Sequence, residues 1–222
     1  MTDTAVRIWD LPTRLFHWLL AGCLIGSLVS VKLGGNAIAW HFRFGYAILA
    51  LVLFRLVWGL IGPRYARFAS FPPSPGAALA YLRGRHPGSA GHNPLGAFSV
   101  YALLLALSVQ VATGLFANDS IMWDGPLKPL VSSATSDLLT TVHRVNRVVL
   151  LALIALHLLA IGWYSLARRE SLLPPMLRGD RRYPDAAQAP PAARDDAGVR
   201  ALALVVAVIC AAAVAGLLSL GR

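Results

Sequence analysis

Five long apolar stretches, separated by polar and glycine- or proline-rich connections, set the plan of this 222-residue chain. A helix that crosses a bilayer needs about 20 mostly apolar residues. On that measure the first span is predicted over residues 15–31, between Arg14 and Lys32, and the second over 44–61. The third is predicted over 95–117, the fourth over 138–166 with its cleanest apolar part after Arg147, and the fifth over 201–220. The first span ends in Ser30-Val31-Lys32-Leu33-Gly34-Gly35, without the small-residue cleavage pattern of a signal peptide. The fold expected is therefore an all-α integral membrane protein. Residues 1–14 form a cytoplasmic N-terminal segment, 15–166 a four-helix transmembrane bundle, 167–200 a basic, Ala/Pro-rich cytoplasmic linker that is partly disordered, and 201–222 a fifth transmembrane helix.

Composition fits that plan. The chain is 57% hydrophobic and 14% charged, against about 25% charged in soluble domains. Its net charge of +10 does not indicate nucleic acid, because the basic residues sit between apolar runs and form no single stripe. They divide unevenly across the expected membrane. Thirteen Lys and Arg fall in the N-terminus, the 62–94 loop (Arg64, Arg67, Arg83 and Arg85) and the linker, and six fall on the other side, Arg222 among them. The positive-inside rule then places the N-terminus in the cytoplasm and the C-terminus outside. Trp9, Trp40, Trp58, Trp123 and Trp163 lie near predicted helix ends, where interfacial anchors belong. Cys23 and Cys210 lie in apolar runs and read as small core residues. No C-x-x-C-H haem attachment or zinc spacing is present.

The histidines bring in chemistry. His86 and His92 sit in the arginine-rich loop, whereas His17, His41, His143 and His157 fall in or at spans, where an ionisable side chain is a functional candidate by default. His17 is near the inner start of the first span, His41 at or just before the outer start of the second, and His143 near the outer start of the fourth. His157 follows His143 by 14 residues, about 21 Å along a helix and only about 40° short of four full turns. The two therefore share one face at two depths. His41 with His143 at the outer level, and His17 with His157 at the inner level, each offer two imidazoles from different helices. Each pair can hold one haem iron axially, and two axial histidines favour electron transfer over oxygen chemistry at the metal.

Arginines extend the pattern. Arg55 lies inside the second span, 14 residues after His41 and on the same face, at the depth of the inner pair. A buried arginine needs an anion, and a haem propionate is a candidate. Arg147, four residues after His143, is a candidate for the outer haem, with Arg14 and Arg43 weaker candidates of the same kind. Gly22, Gly45 and Gly114 are positions where a flat macrocycle could approach the backbone, or ordinary close-packing glycines. In GHNPLG, Asn93 and Pro94 read as the cap and first turn of the third helix, with His92 a candidate contact to quinone or a propionate. The alanines at 203, 207, 211 and 215 with Gly216 form a small-residue stripe on the fifth span, a candidate docking surface or plain lipid exposure.

With these residues in view, the chain resembles the prokaryotic di-haem cytochrome b561 family, which includes b-type subunits of nickel-iron hydrogenases. The matching stretches are WDLPTRLFHW at 9–18, WHFRFGY at 40–46, RLVWGLIGPRYARF at 55–68, GHNPLGA at 91–97, HR at 143–144 and LH at 156–157. They cover roughly residues 6–180. The resemblance implies a four-helix bundle with two haems b ligated by His17, His41, His143 and His157, in a bacterial inner membrane. It also implies electron traffic between quinone and a periplasmic redox protein such as a c-type cytochrome or a hydrogenase. A short first loop and the extra fifth helix point toward a subunit-type member. The competing expectations are a self-contained quinone-linked oxidoreductase, such as a superoxide oxidase drawing an anion to Lys32, Arg43, Arg144 and Arg147, and a haem-free membrane scaffold.

Overall fold

The structure is a computed structural model that describes residues 4–86, 88–185, 187 and 189–221. Arg222, counted above with the outer basic residues, lies outside them, as do residues 1–3 of the N-terminal segment and 186 and 188 of the linker. Seven α-helices and a two-stranded ribbon occupy the described residues: β1 (Thr4–Arg7), α1 (Leu11–Leu33), α2 (Ile38–Ile61), α3 (Pro75–Leu82), α4 (Pro94–Gly114), α5 (Ser133–Leu166), α6 (Leu173–Arg178), β2 (Asp180–Tyr183) and α7 (Ala197–Ser219). α1, α2, α4, α5 and α7 are long and apolar enough to cross a membrane, the five spans expected of a multi-pass protein.

Three spans, α1, α5 and α7, begin four or five residues earlier than hydropathy alone places them, and α4 begins one residue earlier, because polar side chains close their first turns. Asp10 accepts from the Thr13 amide at 2.9 Å and opens α1. Asn93 accepts from Gly96 at 2.7 Å and opens α4 at Pro94, as its sequence predicts. Ser132 accepts from Thr135 at 3.2 Å before α5, and Asp196 from Val199 at 3.0 Å before α7. Each cap satisfies a backbone donor that lipid cannot. α2 ends where Gly62 and Pro63 follow Ile61, and Ala66 and Arg67 then donate to the Pro63 carbonyl at 2.9 and 3.2 Å in a new turn.

The chain forms two compact units, and each span contributes a part to both. The first comprises Met1–Leu15, Leu56–Ala102 and Leu153–Leu204. In it β1 pairs antiparallel with β2, Thr4 opposite Tyr183 and Arg7 opposite Asp180. Val6, Ile8, Trp9, Tyr65 and Ala193 make its core. Gly179, at φ +95°, turns α6 into β2, and its carbonyl accepts from Ile8 and Trp9 at 2.8 and 3.0 Å. A side chain there would meet the Trp9 carbonyl. The segment expected as a partly disordered linker thus carries a helix and a strand, and its Ala/Pro stretch packs: Tyr65 donates to the Pro191 carbonyl at 2.8 Å and the Ala193 amide to the Arg7 carbonyl at 2.7 Å. Its backbone partners come from the far N-terminus, which composition cannot reveal. Two of the expected interfacial tryptophans are also interior. Trp58 is fully buried and donates to Asp10 at 3.1 Å, and Trp9 is buried in the same unit, while Trp40 and Trp163 are exposed.

The second unit comprises Phe16–Arg55, Leu103–Ala152 and Val205–Arg222. Its core gathers Leu49, Leu115, Leu127 and Val214. α7 therefore packs against its own chain. Its buried seam is Ala203, Val206, Cys210 and Val214, while Ala207, Ala211 and Ala215 of the small-residue stripe are exposed. Cys210 is buried and both cysteines are free thiols.

Candidate functional site

The second unit brings His41 and His143 together. His41 sits in the first turn of α2 and His143 on α5, with ring centroids 6.3 Å apart and planes at 88°. An imidazole nitrogen about 2 Å from a metal puts its ring centroid about 3 Å from it, so two imidazoles on opposite sides of one ion stand about 6 Å apart. The observed separation matches that arrangement.

Their hydrogen bonds point the same way. His41 Nδ1 lies 2.8 Å from the Ser27 hydroxyl and 3.2 Å from the Ser27 carbonyl on α1. His143 Nδ1 lies 2.9 Å from the Gln110 carbonyl on α4. A carbonyl only accepts, so both rings carry their proton on Nδ1 and present the Nε2 lone pair. A metal-ligating histidine is held in this way, its second nitrogen donating to a backbone carbonyl that fixes tautomer and orientation. The Nε2 of His143 accepts from the Gln110 side-chain amide at 3.0 Å. Asn146, one turn after His143, donates to the Gln110 side-chain oxygen at 2.7 Å and to the Ala106 carbonyl at 2.9 Å. Sequence reasoning did not single out Ser27, Gln110 or Asn146. The available signal was polar side chains within spans, at helical spacing from a histidine.

Two glycines let these helices approach. A Cβ on Gly114 would lie 2.9 Å from the His143 ring, and one on Gly26 would lie 2.5 Å from the ring of Phe44. Gly114 is thus where a ligand candidate, rather than a macrocycle, meets the backbone. At Gly22 and Gly45 a Cβ would meet nothing within 4 Å.

The donor set fits haem better than a bare ion. Among the described residues no three His, Cys, Asp or Glu side chains gather, whereas a protein-only zinc site takes three or four ligands. Two neutral imidazoles from different helices would complete an iron whose remaining positions a porphyrin fills.

The other predicted residues fall as follows. His17, half-buried on α1, belongs to the second unit, and His157, half-buried on α5, to the first. Neither unit alone contains that pair. Arg55 is 3% exposed within α2. Arg147 and Arg43 are exposed, the Arg43 guanidinium standing 4.6 Å over the Trp40 ring. Arg14 donates to the Leu177 carbonyl at 2.7 Å and lies 4.0 Å from Asp195 in the first unit. His92 packs against Trp9 and Phe71, with centroids 4.7 and 4.2 Å away, beside the Asn93 cap of α4.

Comparison with known proteins assigns the chain a family. The profile of the prokaryotic cytochrome b561 family matches residues 8–179. A probable Ni/Fe-hydrogenase B-type cytochrome subunit of Bradyrhizobium diazoefficiens is 21% identical over 215 residues, covering 81% of this chain and 87% of its own length. Proteins of the same description from Azotobacter vinelandii and Cupriavidus necator are 24% and 23% identical, each covering 82% of this chain and, respectively, 91% and 88% of their own length. No solved structure matches the chain.

Proposed function

The chain belongs to the prokaryotic cytochrome b561 family, and on that premise we propose that it carries electrons between a periplasmic redox protein and membrane quinone through two bis-histidine haems b. Membrane electron transfer by a b-type cytochrome is the family's work, and the finer assignments are our reading. A haem b with two axial histidines supplies a one-electron couple with no open coordination position. His41 and His143 would hold the outer haem, with the Ser27 and Gln110 carbonyls fixing their rings. His17 and His157 hold the inner one. Arg55 and Arg147 neutralise propionates, with Arg43 and Arg14 in lesser roles; Arg14 also serves the first unit's ion-pair cluster.

The observation that carries this reading is the His41–His143 pair, 6.3 Å apart with both Nδ1 atoms on backbone carbonyls. A hydrogenase is the partner named for the relatives, and their similarity over most of the chain supports a hydrogenase as donor, a c-type cytochrome being the other donor class proposed. The excess of Lys and Arg in the connections 62–94 and 167–200 supports an inner-membrane orientation with the N-terminus in the cytoplasm.

The test is a reduced-minus-oxidised visible spectrum of the purified protein with haem quantified per chain, followed by stopped-flow reduction with quinol and with periplasmic donors. Two low-spin haems b per chain that exchange electrons with quinone are expected. A colourless folded protein would leave a membrane scaffold. Rapid superoxide-dependent quinone reduction by the protein alone would replace the subunit role with a self-contained oxidoreductase.

A further inference from the structure

The first unit contains a cavity of about 510 Å³ at the end of α2 and the start of α7, with none of the four ligand candidates in its lining. Its wall includes Arg64, Arg67 and Arg194 together with the apolar Trp58, Ile61 and Leu202. The turn that follows α2 sets the first two arginines. Ala66 and Arg67 both donate to the Pro63 carbonyl, so Arg64 and Arg67 stand three residues apart on one helical turn and share a side. Arg194 is offset by Asp196, 3.0 Å away. Among the described residues, Arg64 and Arg67 have no acidic partner. The apolar part of the wall continues onto exposed span surface: Ile61 and Leu202 are 51% and 45% exposed, and Leu60 and Leu204 more so. Two guanidinium groups with no acidic partner among the described residues thus sit at the ends of two helices long and apolar enough to span a membrane, beside exposed apolar surface.

We propose that this cavity binds the phosphate head group of an anionic phospholipid, with Arg64 and Arg67 as its grip and the chains lying along Ile61 and Leu202. A guanidinium fork matches phosphate oxygens in pairs, and basic pockets between membrane helices are read as anionic-lipid sites. A neutral quinone would fill the apolar wall but leave both charges uncompensated, which is why the lipid is favoured. This assignment stands apart from the haem reading, since none of its residues is a ligand candidate and its test does not use electron transfer.

The test is native mass spectrometry of the full-length protein in detergent, with phosphatidylglycerol and phosphatidylcholine of matched chains. One phosphatidylglycerol per chain is expected, preferred about 10-fold or more over phosphatidylcholine. Arg64→Gln with Arg67→Gln should bring the preference to within about 2-fold, while Arg83→Gln with Arg85→Gln, in the same connection, should keep it. Equal retention of the two lipids, or equal loss in both double variants, overturns the site. Displacement of the lipid by millimolar inorganic phosphate would make it a free-phosphate site. Displacement by a short-chain quinone that the Arg64/Arg67 variant retains would make it a quinone pocket. Should the double variant not fold, thermal unfolding of the unaltered protein decides: phosphatidylglycerol should raise Tm above phosphatidylcholine in a salt-sensitive way, and no difference overturns the proposal.

Discussion

His143 shows how much one side chain can organise in a span. Its Nδ1 is anchored on the Gln110 carbonyl, its Nε2 accepts from the Gln110 side-chain amide, and its ring lies against the bare backbone of Gly114, 6.3 Å from the His41 ring. The last contact is the most exposed to a single atom. In Gly114→Ala the new methyl would sit 2.9 Å from the ring, inside any contact a packed core tolerates, and overpacking of this kind costs about 1–3 kcal/mol or displaces the ring. The expected outcome is loss of the outer haem alone: haem per chain falls from two to one, and the remaining absorbance titrates as a single redox component. Gly216→Ala, where an added methyl meets nothing within 4 Å, should keep both. Full haem content in Gly114→Ala would show that the ring has room the structure does not give it. The histidines were legible in the sequence because ionisable residues are rare in spans. Ser27, Gln110 and Asn146 were not, because two of their decisive bonds use backbone carbonyls, which every residue has.

Among the elements, the N-terminal ribbon is the one that sequence pattern hid. β1 is four residues long and its partner lies more than 170 residues away, so no local periodicity marks either strand. One carboxylate joins them to the spans. Asp195 accepts from Arg7 at 2.6 Å, from the Leu11 amide at 3.1 Å and from Arg200 at 3.2 Å, tying β1, the start of α1 and the start of α7 within the first unit. Burial alone would raise its pKa, but the Arg200 hydrogen bond, the Leu11 amide and the nearby arginine charges outweigh it and hold the value below the ordinary carboxylate range. A depressed folded-state pKa contributes stability above the unfolded value and loses it as pH falls through the folded one. The ribbon should therefore be unaffected between pH 7 and about pH 5, and should loosen only below about pH 4. Asp195→Asn should loosen it already at pH 7, by about 2 kcal/mol, seen as faster amide exchange over residues 4–11 with the visible spectrum unchanged. Equal exchange in variant and parent at pH 7 would remove Asp195 from this role. The caps fared better than the ribbon: Asn93 was readable because its donor is three residues away, whereas Asp195 acts across the length of the chain.

For the whole molecule, the arrangement of α5 carries the functional argument. It is one unbroken helix from Ser133 to Leu166, with His143 in the second unit and His157 in the first. Their 14-residue interval keeps both on one face about 21 Å apart. The supports of the outer pair, Ser27, Gln110 and Asn146, all belong to the second unit, as does Gly114. None of them depends on His157. The two haems should consequently be separable by mutation. His157→Ala should lower haem from two per chain to one and leave the outer haem's spectrum and midpoint largely in place. His143→Ala should remove the other, and the double variant should be colourless while keeping its helical circular dichroism. Electron transfer distinguishes the variants further. If each haem is one step of a relay across the membrane, either single variant should still be reducible by dithionite, yet pass electrons from a periplasmic donor to quinone at least about 100-fold more slowly, a barrier increase of roughly 2.7 kcal/mol. Loss of both haems from His157→Ala would mean that the two sites fold as one, and loss of neither would assign that iron to another ligand. Unimpaired transfer through a one-haem variant would place donor and quinone at the same haem, and the second histidine pair would then need a different purpose.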